Sequence, residues 1–166
     1  INGFQSFKYI FQKFGSKKNT LITHRKYYRK IRTKNFKIHL IHQTKSMLST
    51  VQKSINIFKK YKKFFLTSCD CYGEFNKIHF NKFIKKNKPD LVIFGYDFSN
   101  LQKSLVNAHT TLEIKKNRLF KINVKRNSAN SKIGHAGFFW IANDNVFKFI
   151  EHFIKANKLN REAIID

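Results

Sequence analysis

Apolar positions along this chain come in short runs whose internal spacing switches between two patterns. "FKIHLI" at 36–41 is rich in β-formers and free of Gly and Pro, which predicts a strand. In "KSMLSTVQKSINIFKKY" (45–61) Met47, Leu48, Val51, Ile55 and Phe58 recur every three or four residues. This is the stripe of an amphipathic helix, with Thr44 offered as its N-cap. "KFFLTSCD" (63–70) predicts a second strand. "FNKIHFNKFIKKN" (75–87) gathers Ile78, Phe80, Phe83 and Ile84 near one face of another helix. The only proline, Pro89, opens "PDLVIFGYDF", a third strand whose unbroken run 91–94 predicts burial on both faces.

Strand, helix, strand, helix, strand at ordinary connection lengths predicts βαβ crossovers, and with them an α/β fold on a mainly parallel sheet. Beyond residue 109 the pattern changes. "TTLEI" (110–114) and "RLFKINVK" (118–125) flank the polar turn "KKN", which predicts an inserted β-hairpin. A polar loop, "NSANSKIG", leads into the strand "HAGFFWIA" (135–142). Asn143 or Asp144 then caps a last helix with Val146, Ile150, Phe153 and Ile154 on its stripe. The first 35 residues are basic and less defined. "FQSFKYIFQKF" (4–14) reads as a helix, and "THRKYYRKIRTKNF" (23–36) as a basic helix or loop.

The chain has 166 residues, 42% hydrophobic with 19 Phe, which is enough for a single domain with its own core. It opens on Ile1 and stops at "REAIID", so a fragment of a longer protein is expected. Its formal charge of +25 attracts polyanions: nucleotides, or nucleic acid. Lys outnumbers Arg by 28 to 6, however, and Asn, Ile and Phe are abundant beside it. That set matches a drift in codon composition, whereas RNA-binding patches use the planar guanidinium of Arg. The best nucleic-acid candidate is the stretch with Arg25, Tyr27, Tyr28, Arg29 and Arg32, where aromatics stack and cations hold phosphate; it reads also as a solvated helix face beside a crossover.

Cys69 and Cys71 are the only cysteines, and the seven histidines are scattered, which argues against a structural zinc site. Free cysteines fit a reducing cytoplasm, and no apolar run approaches the roughly 20 residues that span a bilayer. Asp70, between the cysteines, is the residue that an apolar strand does not explain. At the carboxyl end of a strand in an open α/β sheet, where ligands bind, it is placed to hold a hard cation such as Mg²⁺. It reads equally as a surface residue capping the next turn. The cysteines read as packing and turn residues beside it.

The stretch "QTKSMLSTVQKSINIFKKYKKFFLTSCDCYGEF" resembles the centre of the sugar-phosphate nucleotidyltransferases. There a Thr-containing loop opens a helix and the next strand ends in a metal-binding aspartate. "GYDF", "INVK", "HAGFFWI" and "LNREAIID" follow in the family's order and at its spacing, over about 36–166. The resemblance implies a three-layer, Rossmann-like sheet of GT-A type with helices on both faces. Its core would span 36–98, and 109–166 would form the sugar-binding part. It implies transfer of a nucleotidyl group from a nucleoside triphosphate to a sugar 1-phosphate, with release of pyrophosphate.

Carried over by motif, Asp70 holds Mg²⁺, Lys125 neutralises the sugar phosphate, and Glu162 accepts hydrogen bonds from sugar hydroxyls. Gly137 lets substrate approach the backbone, and Thr44 and Cys71 fall at substrate-binding positions. The chain departs from the family in lacking its N-terminal Gly-rich loop: the six glycines stand at 3, 15, 73, 95, 134 and 137. Ser46 stands near Thr44, where the family often has a base-contacting glycine. A second metal-binding aspartate lies further downstream in the family than this chain reaches. The expectation is a fragment that does not turn over alone. The alternatives are a non-catalytic degenerate relative, or a basic nucleic-acid-binding or ribosome-associated protein.

Overall fold

The computed structural model describes residues 19–28, 36–44, 47–68, 71, 74–97, 99, 110–116, 118–123, 132–142 and 145–157. They fall into two compact units.

The first unit is built from residues before 63 and after 142. Strand β1 (Thr20–His24) runs into a single helical turn, α1 (Arg25–Tyr28). Strand β2 (Lys37–Ile41) pairs with β1 in parallel, from Thr20↔Lys37 to His24↔Ile41. The pattern at 23–36 had predicted no strand here, because "TLITH" is too short to show a period. Helix α2 (Met47–Phe58) buries Val51, Ile55 and Phe58 as its spacing predicts. The last helix, α4 (Asn145–Asn157), meets α2 through Phe147. Phe147 is 1% exposed and stacks on Phe58 with ring centroids 5.6 Å apart. Of the stripe expected on α4, Val146 and Ile150 are half-buried and the side chains of Phe153 and Ile154 lie outside the described residues; Phe147, which that stripe did not include, is buried. Lys59 Nζ, 3.1 Å from Glu151, closes the same helix pair at its surface.

The second unit covers residues 63–142. Its strands are β3 (Phe64–Thr67), β4 (Leu91–Asp97), β5 (Thr111–Lys115), β6 (Arg118–Asn123) and β7 (Ile133–Ile141). All pair antiparallel, which overturns the expectation of a mainly parallel sheet. Alternation along the chain had given the direction of β3 and β4 but not their neighbour. Both run antiparallel to β7, one on each of its edges, so they share a direction without pairing with each other. β5 meets β7 at Thr111↔Gly134 and carries the hairpin to β6. Lys116, at φ 49°, opens the short turn between them.

Helix α3 (Lys77–Asn87) begins at Asn76, whose Oδ1 accepts from the N–H groups of Ile78 and His79, both at 3.0 Å. It ends at Lys88 in the left-handed region, just before Pro89. Phe80 packs on the sheet against Phe65, Phe94 and Trp140, with centroids 5.4 to 5.8 Å apart. Ile78, expected on the apolar face, is 66% exposed. The run 91–94 is not buried on both faces either: Leu91 is exposed and the next three residues are half-buried.

Candidate active site at the carboxyl ends of β3 and β4

Because β3 and β4 run the same way, their carboxyl ends reach one edge of the sheet. Thr67 pairs with Phe138, just past the middle of β7, while Tyr96 and Asp97 pair with Gly134 and Ile133 at its start. In open sheets this is the edge where ligands bind.

The ladder of β3 ends with Ser68 N–H donating to the Gly137 carbonyl at 3.4 Å. The chain then folds back on itself. Cys71 N–H donates to the Ser68 carbonyl at 3.3 Å, and the Thr67 hydroxyl donates to the carbonyls of Ser68 (3.1 Å) and Cys71 (3.3 Å). On the other side β7 is bulged. From Ile93↔Phe139 to Gly95↔His135, β4 moves two residues while β7 moves four. Gly137 lies in that bulge at φ 63°, a conformation that costs any L side chain. A Cβ added there would overlap the Cys71 Sγ and stand 3.3 Å from the Ser68 Oγ. Cys71 and Gly137, distant in sequence, are thus in direct contact, and the chain between Ser68 and Cys71 is the stretch that carries Asp70.

β4 adds two groups that the sequence reading did not single out. The Tyr96 phenol is pushed above its ordinary value, first by burial and then by the neighbouring Cys71 thiol. Asp97 accepts from the Ser99 hydroxyl and from the Ser99 N–H (2.8 Å). Those two bonds hold its carboxyl below the usual range; slight desolvation opposes them, and Lys132 assists. The signal for both residues lay in "GYDF", once β4 is known to end beside β3.

The backbone of Gly95 is also closely approached: a Cβ there would stand 2.6 Å from Ile133 Cγ2 and 3.2 Å from the Gly134 carbonyl. Glycine therefore lets β4 lie against β7 just before Tyr96.

No protein-family model and no curated protein matches the sequence. Solved structures do. A protein described as a glucose-1-phosphate thymidylyltransferase from Bacillus anthracis, solved with sucrose, has a TM-score of 0.66 at 10% identity, covering 92% of this chain. The inositol-1-phosphate CTP transferase of T. maritima also scores 0.66, at 14% identity over 96% of the chain. A UDP-glucose pyrophosphorylase complexed with UDP-glucose scores 0.54, at 9% identity over 70% of the chain. This chain shares their fold. It spans 64% of the length of each of the first two and 47% of the third.

The residues expected at the site divide accordingly. Cys71 and Gly137 meet at the β3–β7 junction. Thr44 lies in the first unit, its hydroxyl 2.6 Å from that of Thr50 on α2. Asp70, Lys125 and Glu162 lie outside the described residues. Among the described residues no three His, Cys, Asp or Glu side chains gather as a metal site, and no helix is long and apolar enough to cross a membrane. The oxygens at the sheet edge, the Thr67 hydroxyl and the Asp97 carboxylate, are the donor type that Mg²⁺ takes; the Cys71 thiol is not.

Proposed function

We propose that this chain carries the sugar- and metal-binding part of a sugar-phosphate nucleotidyltransferase. The observation that carries the reading is the junction just described: β3 ends at the bulge of β7 and β4 crosses that bulge just before its own carboxyl end, in a fold shared with enzymes of that class. A phosphate oxygen of the sugar 1-phosphate attacks the α-phosphorus of a nucleoside triphosphate. The bond from that phosphorus to the bridging oxygen breaks, and pyrophosphate leaves with the electron pair.

The protein's share of this chemistry is positioning and charge neutralisation. Asp70 is the proposed ligand to Mg²⁺, which would offset negative charge on the phosphates. Lys125 would neutralise the sugar phosphate, and Glu162 would accept hydrogen bonds from sugar hydroxyls. Cys71 and Gly137 would shape the surface at the end of β3 against which substrate lies.

Calorimetric titration with UDP-, dTDP- and CDP-linked sugars tests this. One of them is expected to bind about tenfold tighter with Mg²⁺ than without, ~1.4 kcal/mol. Asp70→Asn should remove that gain and leave the metal-free affinity. Equal affinity with and without Mg²⁺ for every sugar nucleotide would refute the reading.

A second reading has its own observation. Tyr27 and Tyr28 on α1 are 51% and 45% exposed, and Lys26 Nζ stands 5.9 Å from the Tyr27 ring. Exposed aromatics beside cations are what single-stranded nucleic acid stacks on.

A further inference from the structure

The second unit holds a groove of about 850 Å³ that the proposed reaction does not use. Leu91, Val92 and Ile93 of β4 line it, joined by Leu112 of β5. α3 and the hairpin β5–β6, with Ile114 and Leu119, line the rest. Leu91, Ile114 and Leu119 are 39%, 45% and 43% exposed, an apolar strip open to water.

Cations line it from two elements: Lys82 and Lys86, four residues apart on α3, form one rim, and Lys116 and Arg118 at the hairpin turn form the other. No acidic residue lines the groove, and no carboxylate among the described residues pairs with these four. Two acids adjoin lining residues in sequence: Asp90, between Pro89 and Leu91, does not itself line the groove, and Glu113 accepts from Asn123 Nδ2 at 2.7 Å and stands 3.9 Å from Lys121 Nζ.

This arrangement selects its occupant. A second copy of a chain with charge +25 would bring cations against cations. A nucleotide or a lipid carries its charge at one end, whereas these cations come from two separate elements that line the groove together with its apolar residues. The complementary object has an apolar stripe with carboxylates on both flanks. We propose that the groove docks an acidic amphipathic helix of a partner protein, its apolar stripe on β4 and its carboxylates on the two cationic rims. A compositional origin of the lysines changes nothing in this physics, because the strip and the cations attract such a helix whatever selected them.

Fluorescence anisotropy tests the proposal with a synthetic peptide of about 18 residues, five helical turns, bearing a Leu stripe flanked by Glu. A permuted peptide of the same composition is the control. The striped peptide is expected to bind about tenfold tighter than the permuted one. Lys86→Glu with Arg118→Glu should cost about tenfold, whereas Lys60→Glu with Lys62→Glu, equal in net charge, should stay within about twofold. Ile114→Ala with Leu119→Ala, which leaves every charge in place, should also weaken binding, and circular dichroism of each variant reports its folding. Equal binding of both peptides, or an equal loss in the Lys60, Lys62 pair, would overturn the proposal. So would phosphatidylserine vesicles showing the same dependence on Lys86 and Arg118, since that would make the surface a membrane site.

Discussion

Gly137 has two separate reasons to be glycine, and they can be measured apart. Its φ of 63° penalises any side chain by about 1–2 kcal/mol, and overlap with the Cys71 Sγ adds an overpacking cost of about 1–3 kcal/mol. Gly137→Ala should therefore lower stability in urea by about 2–5 kcal/mol. Adding Cys71→Gly should restore the overlap part and leave the backbone part, giving a coupling of about 1–3 kcal/mol in the double-mutant cycle. Simple additivity would show that the two residues do not press on each other.

Tyr96 offers a pH handle at the same junction. Its folded value is raised, so the neutral phenol is the form that the fold prefers. The stability it contributes is present below the unfolded value of about 10 and is lost as pH rises through the raised folded value. Melts between about pH 9 and pH 11 should fall more steeply for the wild type than for Tyr96→Phe; parallel curves would contradict this. At this scale the sequence made Asp70 stand out because a carboxylate ends an apolar run. It did not expose Tyr96, because "GYDF" shows its relation to "TSCD" only once both strands share β7.

The helices were legible where one stripe was unambiguous and misread where two ran side by side. α2 offers a single register, and Val51, Ile55 and Phe58 are buried as its spacing requires. α4 has apolar residues at 146, 147, 149, 150, 153 and 154, so periodicity fits two adjacent stripes and cannot choose between them. Packing on Phe58 chooses Phe147. Phe147→Ala should cost about 3–5 kcal/mol, while Phe149→Ala, at a site 69% exposed, should stay within about 0.5 kcal/mol; thermal denaturation separates the two. The reverse order would mean that α4 does not pack through Phe147. Strand direction was likewise readable from the β3–α3–β4 order, but adjacency was not, since β7 enters between them from far along the chain.

For the molecule as a whole, charge and fold favour the same class of ligand by different routes. The charge of +25 draws in polyphosphates without choosing among them, whereas the proposed site at the carboxyl edge of β3 and β4 would give them one place to bind. Amide chemical-shift mapping with a sugar nucleotide and Mg²⁺ tests this most directly. The account predicts saturable shifts at Ser68, Cys71, Tyr96 and Gly137. Shifts confined to Arg25–Tyr28 that disappear as salt is raised would contradict it, and would mean that the chain meets polyphosphate only through its surface charge.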